Sequence, residues 1–239
     1  MKDLENILFL KETGSTQDTS RDWIKRYNFC PVVVSSEQTN GRGQRGSVWQ
    51  SNKGGLWFSL SLKDFSAFKE SLLPLVCSYA ILKVLEKMTL NPFIKWPNDV
   101  ILMGKKIAGI LVEKFSFNGS IYYICGFGIN VNNEITIEDI RYPAINLKSI
   151  LREEININMF LFNILEVFES IIDNFSSSFF DMILKDINKK LFLKNEFVQV
   201  EKNNETIYNA ILDSIGSQGE LVYIFNGEYC SLYSGRIIF

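Results

Sequence analysis

Residues 41–51 read G-R-G-Q-R-G-S-V-W-Q-S, which places three glycines, two arginines and a tryptophan within eleven positions. This composition suits neither a helix interior nor a central strand, so we expect a loop. The glycines allow the backbone to approach a ligand, and Arg42 and Arg45 supply positive potential for an anion such as phosphate. Trp49 adds a flat face on which a purine can stack. The stretch predicts a nucleotide-binding loop, although glycine- and arginine-rich segments also occur as RNA-binding tails and as plain surface turns.

The composition is that of a chain with a sizeable core. Its 239 residues predict one large domain, or a large domain and a small one. The net charge of −2, from 25 basic and 27 acidic side chains, supplies no basic field for wrapping nucleic acid. The four cysteines are widely spaced without a C-x-x-C pair, which indicates reduced thiols. Because no stretch has the pattern of a signal peptide or the length of a membrane span, we expect a cytoplasmic protein that binds neither DNA nor membranes.

The sequence contains no histidine. This excludes histidine-based zinc sites and the Ser-His or Cys-His pairs that activate nucleophiles. Any chemistry must then depend on lysine, arginine, aspartate, polar side chains and backbone amides. Such groups suit reactions driven by positioning and charge neutralisation, for example phosphoryl or nucleotidyl transfer.

The rest of the chain alternates between strand-like and helical patterns. Branched and alternating apolar residues predict strands over 7–10, 32–34 and 56–62, the last with a single core face formed by Leu56, Phe58, Leu60 and Leu62. Apolar residues at helical spacing predict helices over 71–90, 158–175 and 178–190. A further helix should end near residue 27, with Ser15 or Thr16 as its cap.

The middle of the chain predicts an antiparallel meander of three strands. Residues 96–99, W-P-N-D, interrupt two strand-like pieces, and because proline cannot serve a central ladder we expect a kink or bulge there. Gly104 and Lys105 read as a turn, and Asn118-Gly119 is a strong hairpin signal.

Lys106 is the lysine that this meander singles out. Strand alternation puts it on one face with Ala108, Ile110 and Val112. A charge on a core-facing row is costly unless it is paired or meets a ligand, so we favour a functional lysine over one that snorkels to solvent. Residues 126–130, G-F-G-I-N, end the next strand with two glycines that leave room for a ring system. Glycines are also common at strand ends that have no functional role.

Five short strands are expected at the end of the chain, over 197–200, 206–212, 221–225, 228–233 and 236–239. So many short strands in roughly fifty residues predict a small barrel or sandwich. We place a domain boundary near 191–195, which divides the chain into a large domain over 1–190 and a small β-barrel domain over 191–239.

The motifs taken together resemble those of the biotin protein ligases. The resemblance rests on G-R-G-Q-R-G-S-V-W-Q-S, K-W-P-N-D-V, K-I-A-G-I-L-V-E and G-F-G-I-N in that order, with S-T-Q upstream and a small β-domain at the end. It covers essentially the whole chain, and the ordered set is specific although each piece alone is not. It implies an α+β fold, in which a mixed sheet flanked by helices, as in class II aminoacyl-tRNA synthetases, forms the catalytic domain.

The resemblance also implies a two-step reaction. Biotin and MgATP give biotinyl-5'-AMP and pyrophosphate, and a lysine on the biotin carboxyl carrier protein of acetyl-CoA or a related carboxylase then takes the biotinyl group. The implied catalytic residues are Lys106, Arg42 and Arg45. The implied biotin-binding residues are Ser15, Thr16, Gln38, Gly41, Arg42, Lys106, Gly109, Gly126 and Gly128. The implied ATP-binding residues are Arg42, Gln44, Arg45, Gly46, Trp49, Asn98, Asp99, Lys106 and Asn130.

Some features stay open at this level. Asp99 is the candidate magnesium ligand, but Asn98 and Asp99 fit a structural hydrogen-bond hub as well. Many relatives carry arginine in place of Gln44 and a basic or polar residue in place of Ser47, so we expect biotinyl-5'-AMP to leave this protein faster. The catalytic pattern begins within the first fifteen residues, so we expect no N-terminal DNA-binding domain. A homodimer is an open possibility.

Two other functions compete with biotin ligation. A lipoate or octanoyl transferase resembles the same fold, but the polar cluster of Ser15, Thr16 and Gln38 suits the ureido ring of biotin better than a linear chain. A non-catalytic nucleotide- or RNA-binding module would use the Gly-Arg loop alone. The near-neutral net charge disfavours it.

Overall fold

The structure is a computed structural model that describes residues 6–67, 69–136, 143–202 and 205–238. The strands of its first part are β1 (Ile7–Leu10), β2 (Val32–Ser35), β3 (Leu56–Lys63), β4 (Phe93–Lys95), β5 (Asp99–Leu102), β6 (Lys105–Phe117) and β7 (Ser120–Ile129). The helices are α1 (Thr16–Tyr27), α2 (Leu73–Lys87), α3 (Leu147–Leu151), α4 (Ile157–Asp173) and α5 (Ser177–Lys189). The strands of the last part are β8 (Phe197–Lys202), β9 (Glu205–Ile215), β10 (Leu221–Phe225), β11 (Glu228–Leu232) and β12 (Arg236–Ile238).

Strands β1 to β7 form one mixed sheet in the order β1-β2-β3-β7-β6-β5-β4. Strands β1 and β2 are parallel and joined through α1, whereas the other neighbours are antiparallel. Alternation along β7 buries Tyr123, Cys125 and Phe127 in the main core with α2, α4 and α5, and turns Tyr122 and Ile124 toward Ile24 of α1. The mixed sheet flanked by helices, expected from the resemblance, is confirmed.

Strand β3 differs from the prediction because both of its faces are buried. The sequence predicts a core face and an open face. Leu56, Phe58, Leu60 and Leu62 do enter the main core, but Trp57 and Ser59 on the other face are fully buried as well. The Ser59 hydroxyl lies 2.8 Å from that of Thr16 in α1. The helix therefore covers the face that strand alternation alone leaves to solvent.

The meander has four strands rather than three. Strands β4 and β5 form an antiparallel hairpin that pairs Lys95 with Asp99, and Trp96, Pro97 and Asn98 make its turn, with a cis Trp96–Pro97 peptide bond. The kink or bulge predicted there is thus a hairpin turn. The hairpin turn at Asn118-Gly119 is confirmed, and both of its residues have positive φ, +48° and +79°.

A bulge does occur one strand later, in β6. Val100 pairs with Ala108 while Ile101 pairs with Lys106, so Ile107 is an extra residue on the bulged strand. Ile107 and Ala108 are both fully buried. The predicted alternation is therefore wrong at this point, because Lys106 shares its face with Gly109 and not with Ala108 and Ile110. A Cβ built at Gly109 would lie 3.1 Å from the Lys106 Nζ.

Strands β8 to β12 form a second sheet, antiparallel throughout, in the order β11-β10-β9-β8-β12. Five antiparallel strands are confirmed. The small barrel or sandwich predicted here does not close among the described residues, because β11 and β12 lie at opposite edges of the sheet. Its inner residues, including Val198, Val200, Leu212 and Ile237, join the same buried cluster as the helices of the first sheet. Among the described residues, no helix has the combined length and apolarity that crossing a bilayer requires.

Candidate active site

The glycine- and arginine-rich stretch folds as a small hairpin between β2 and β3. Arg42 pairs with Val48, and the Trp49 amide donates to the Gly41 carbonyl at 2.9 Å. A 3₁₀ turn at Gln44–Gly46 forms its tip. A Cβ at Gly41 would lie 2.5 Å from the Trp49 carbonyl oxygen, so the two arms of the hairpin approach closely only because glycine stands there. The predicted loop is confirmed.

Beneath this hairpin lies a cavity of about 440 Å³. Its floor is a row of glycines on two paired strands, with Gly109 of β6 opposite Gly128 of β7 and Gly126 opposite Leu111. The Trp49 indole lies on this floor, since a Cβ at Gly128 would fall 2.4 Å from its Nε1 and one at Gly109 would fall 3.1 Å from its Cζ3. The glycines therefore leave the space in which a flat group lies against the sheet.

One end of the cavity is a hydrogen-bonded polar cluster at the start of α1. The Thr16 amide donates to the Gln38 Oε1 at 2.8 Å, and the Gln38 Nε2 donates to the Ser51 hydroxyl at 2.8 Å. Ser15 stands at the N-cap position, but its side chain makes no capping hydrogen bond; it lines the cavity instead. The predicted cluster is thus brought together as a donor and acceptor set, in which Ser15 and Thr16 are buried and Gln38 is half-buried.

Cations line another part of the cavity wall. The Lys106 Nζ is 2.6 Å from Asp99 Oδ1 and 4.9 Å from the centroid of the Trp49 ring, so the lysine joins the hairpin to the floor. Lys95 is 5% exposed. Burial lowers the pKa of its ammonium from 10.5 to about 8; Asp99 opposes this shift, whereas Lys106 and Arg236 add to it.

Arg42 reaches across from the hairpin to α1. Its Nη1 and Nη2 donate to the two carboxylate oxygens of Asp18 at 2.6 and 2.8 Å, a bidentate pair. The hydrogen bonds hold the pKa of Asp18 below its usual range and raise that of Arg42. Arg45 has a left-handed backbone, with φ of +56°, and donates to Glu201 of the second sheet at 3.2 Å. Arg42 and Arg45 are therefore both engaged with carboxylates.

Asn98 has a structural role in the β4–β5 turn. The side-chain amide of Asn98 donates to the backbone carbonyl of Ile110. The backbone carbonyl of Asn98 accepts from the backbone amide of Ile110 at 2.9 Å. These two bonds fix the turn to β6 beside the cavity. The hydrogen-bond hub left open by the sequence is therefore present, while Asn98 also lines the cavity wall.

The acids that could bind a metal are few. Among the described residues, no group of three or more Cys, Asp or Glu side chains could hold an ion. Asp99 borders the cavity and pairs with Lys106. A single carboxylate fits magnesium that is bound mainly by substrate phosphates, and it does not fit an ion caged entirely by protein.

Almost all residues predicted for the site line this one cavity. They are Ser15, Thr16, Gln38, Arg42, Gln44, Arg45, Gly46, Trp49, Asn98, Asp99, Lys106, Gly109, Gly126, Gly128 and Asn130. Gly41 does not line it but is buried at the base of the hairpin.

Four further residues belong to the site or contact it without having been predicted from the sequence. Gln17 covers Gly126 and donates to the Leu111 carbonyl at 2.6 Å; its place after Ser15 and Thr16 was the available signal. Lys95 is the first residue of the motif K-W-P-N-D-V, and its place in that motif is the signal for it. Ser59 and Arg236 carry no local signal, since each meets the site through tertiary packing.

The cavity, its glycine floor and its five lining cations make a site in an α+β domain that suits an anionic small molecule. The chain belongs to the biotin/lipoate A/B protein ligase family, whose family model matches residues 10–130. The family resemblance stated from the motifs is confirmed.

Individual relatives agree with this assignment. Biotin--protein ligase 2 of Arabidopsis thaliana is 30% identical over 228 residues, which are 88% of this chain and 67% of that protein. The bifunctional ligase/repressor BirA of Bacillus subtilis is 35% identical over 137 residues, 54% of this chain. The match spans only 42% of the length of the Bacillus protein.

The fold is also shared with solved structures. The biotin protein ligase from Aquifex aeolicus in complex with biotin and ATP superimposes with a TM-score of 0.85 at 28% identity, covering 98% of each chain. Because the Arabidopsis relative and the Aquifex structure are named as biotin protein ligases, the lipoate or octanoyl alternative is not favoured.

Proposed function

We propose that this protein activates biotin with ATP and transfers the biotinyl group to a lysine of a carrier protein. The observation that carries the proposal is the composition of one continuous cavity. It combines a polar cluster at the start of α1, a glycine floor and the cations Arg42, Lys95 and Lys106. A ring with polar edges, an acyl chain and a nucleotide phosphate need these three environments in one place.

The first step joins two anions. A carboxylate oxygen of biotin attacks the α-phosphorus of ATP, and the bond between the α-phosphorus and its bridging oxygen breaks to release pyrophosphate. Repulsion between carboxylate and phosphate opposes this approach, and Lys106 and Arg42 reduce it. Lys106 is held at the floor by Asp99 and the Trp49 ring, so it is positioned before the substrates bind.

The second step transfers the acyl group. The carrier lysine attacks the acyl carbon as a free amine, AMP leaves with the bridging oxygen, and the new amide nitrogen loses a proton to solvent or base. A magnesium ion carried by the nucleotide would be held by Asp99 and would supply further neutralisation of the phosphates. The hairpin over residues 41–49 covers the cavity and restricts access of water to the mixed anhydride.

We infer that the acceptor is the biotin carboxyl carrier domain of a carboxylase, as the related biotin--[acetyl-CoA-carboxylase] ligase of Paracoccus denitrificans suggests by its name. Faster loss of biotinyl-5'-AMP through Gln44, a cytoplasmic location and a homodimer stay predictions from the sequence.

The test is biotin-dependent release of pyrophosphate from ATP, followed by labelling of a carrier domain. We expect activity in the wild type and a loss of about 10²- to 10³-fold in pyrophosphate release for Lys106→Ala. Lys105→Ala is the matched control, because this neighbouring lysine is exposed and lies outside the cavity. Wild-type protein that turns over ATP with lipoate but not with biotin would contradict the proposal.

A further inference from the structure

The second sheet contributes a charged cluster to the cavity. Glu201 of β8 accepts from Nε of Arg236 in β12 at 2.8 Å and also from its Nη2. The other oxygen of Glu201 accepts from Arg45 of the hairpin at 3.2 Å. The Glu201 side chain is 15% exposed, so one largely buried carboxylate holds two arginines from opposite sides.

Both arginines border the cavity. Arg45, Gly235 and Arg236 belong to its lining, together with Lys95 and Lys106. Arg236 is close enough to Lys95 that its charge helps to lower the pKa of that ammonium. Counting Arg45, Arg236, Lys95 and Lys106 against Glu201 and Asp99 gives four positive and two negative charges. These six side chains together carry an excess of two positive charges.

The Arg236 guanidinium still has a free donor. Two of its three nitrogens bond Glu201, and its Nη1 makes no hydrogen bond to any of the described residues. A guanidinium that lines a cavity, is positioned by a carboxylate and keeps N–H groups without a described acceptor suits recognition of phosphate oxygens.

We propose that Arg236 binds the β- and γ-phosphates of ATP and that Glu201 is its positioning residue. This inference rests on the proposed function, and it adds a specific role for the second sheet. The adenylate portion of the nucleotide contacts the hairpin and floor of the first sheet. The pyrophosphate portion, which leaves in the first step, contacts Arg236.

The experiment compares nucleotides with and without these phosphates. Calorimetry at saturating biotin would measure binding of α,β-methylene-ATP, in which the bond that breaks is blocked, and of AMP. For Arg236→Gln we expect roughly tenfold weaker binding of the ATP analogue, because a charge-assisted bond is lost, and unchanged binding of AMP and biotin. Arg26→Gln, a change at an exposed arginine of α1 outside the cavity, should alter none of these affinities.

Two further variants separate position from charge. Arg236→Lys keeps the charge beside Glu201 but loses the fork, so we expect a several-fold loss for the ATP analogue alone. Glu201→Gln removes a negative charge, which by Coulomb attraction alone would strengthen binding of the ATP analogue. A weakening is expected if Glu201 positions Arg236, and a strengthening would show that Glu201 merely opposes the nucleotide.

The outcomes distinguish this inference from the proposed function. Wild-type protein without biotin-dependent pyrophosphate release would overturn the proposed function itself. Normal release in the wild type, with equal affinity of wild type and folded Arg236→Gln or Arg236→Lys for the ATP analogue, would overturn only the role of Arg236.

Discussion

At the scale of the residue, Trp49 has a buried polar group without a hydrogen-bond partner among the described residues. Its indole lies on the glycine floor, and the Nε1–H is buried without an acceptor among the described residues. An unsatisfied buried donor costs about 1–3 kcal/mol. Trp49 also contacts Lys106 and packs edge-on against Trp57, with centroids 6.5 Å apart. These contacts suit a ring that moves when a nucleotide supplies both a stacking surface and polar atoms.

We therefore expect Trp49→Ala to weaken ATP binding much more than biotin binding. Stacking of an aromatic ring on a base contributes roughly 1–3 kcal/mol to the binding free energy, and the alanine variant loses this contribution. Separate calorimetric titrations of the two ligands measure the effect, with Trp49→Phe as the variant that keeps an aromatic face. Equal losses for both ligands would mean that Trp49 only holds the hairpin in place.

Lys95 predicts a pH dependence of nucleotide binding. With a pKa of about 8, lowered mainly by burial, its ammonium is present below that pH and lost above it. Since phosphate binding favours the charged form, affinity for ATP should fall as the pH rises through about 8, at most tenfold per pH unit. Titration of the ATP analogue at several pH values in wild type and Lys95→Gln checks this. A decline of the same slope in Lys95→Gln would assign it to another group.

The sequence predicts a site residue well when its signal lies in neighbouring residues, and poorly when the residue reaches the site through a contact that is distant in sequence. Trp49 and Lys106 belong to compact motifs whose composition is unusual for a loop or a core strand. Strand alternation nevertheless predicts the wrong neighbours for Lys106, because it takes no account of the bulge at Ile107. Arg236 reaches the cavity through a contact with Glu201, 35 positions away in sequence, and no local pattern reports such a contact.

At the scale of the element, the β6–β7 pair determines the shape of the site. The bulge in β6 turns Lys106 onto the same face as Gly109 while Ile107 and Ala108 stay in the core. Opposite it, Gly126 and Gly128 leave the last part of β7 without side chains on that face. Hairpin signals and apolar alternation predict these strands well. Which face carries the site follows only from the bulge and from the covering helix α1.

Gly128→Ala tests the glycine floor. The new methyl group would lie 2.4–2.9 Å from three atoms of the Trp49 indole, so the ring must shift while the strand, which has no positive φ there, accepts alanine. We expect a melting temperature close to that of the wild type, an altered tryptophan signal in near-ultraviolet circular dichroism and roughly tenfold weaker binding of the ATP analogue.

The matched control is Gly14→Ala, because an added Cβ there meets nothing within 4 Å. An unchanged affinity in Gly128→Ala would show that the ligand does not lie against the floor.

At the scale of the whole molecule, the two sheets are joined by more than the chain. The Trp96 indole donates to the Gly219 carbonyl at 2.8 Å, and the Asn188 side chain bonds both the amide and the carbonyl of Ile215. Leu191, at the predicted boundary, pairs with Ile94 of β4. We propose that residues 191–195 separate two domains, each built on its own sheet, as the change of sequence pattern there predicts. We further propose that the two domains unfold together.

Differential scanning calorimetry tests this cooperativity. A single hydrophobic cluster contains residues from both sheets, so separating them would expose apolar surface on each, and we expect one thermal transition. Trp96→Phe removes the hydrogen bond to the Gly219 carbonyl, a loss of about 1 kcal/mol that lowers the melting temperature by roughly 2–4 °C. The transition should stay single. Trp23→Phe, a change of a half-buried ring on α1, is the control. Two separate transitions in the wild type, with only one shifted by Trp96→Phe, would show that the second sheet unfolds on its own, and that Arg236 is presented to the nucleotide by an independently stable domain.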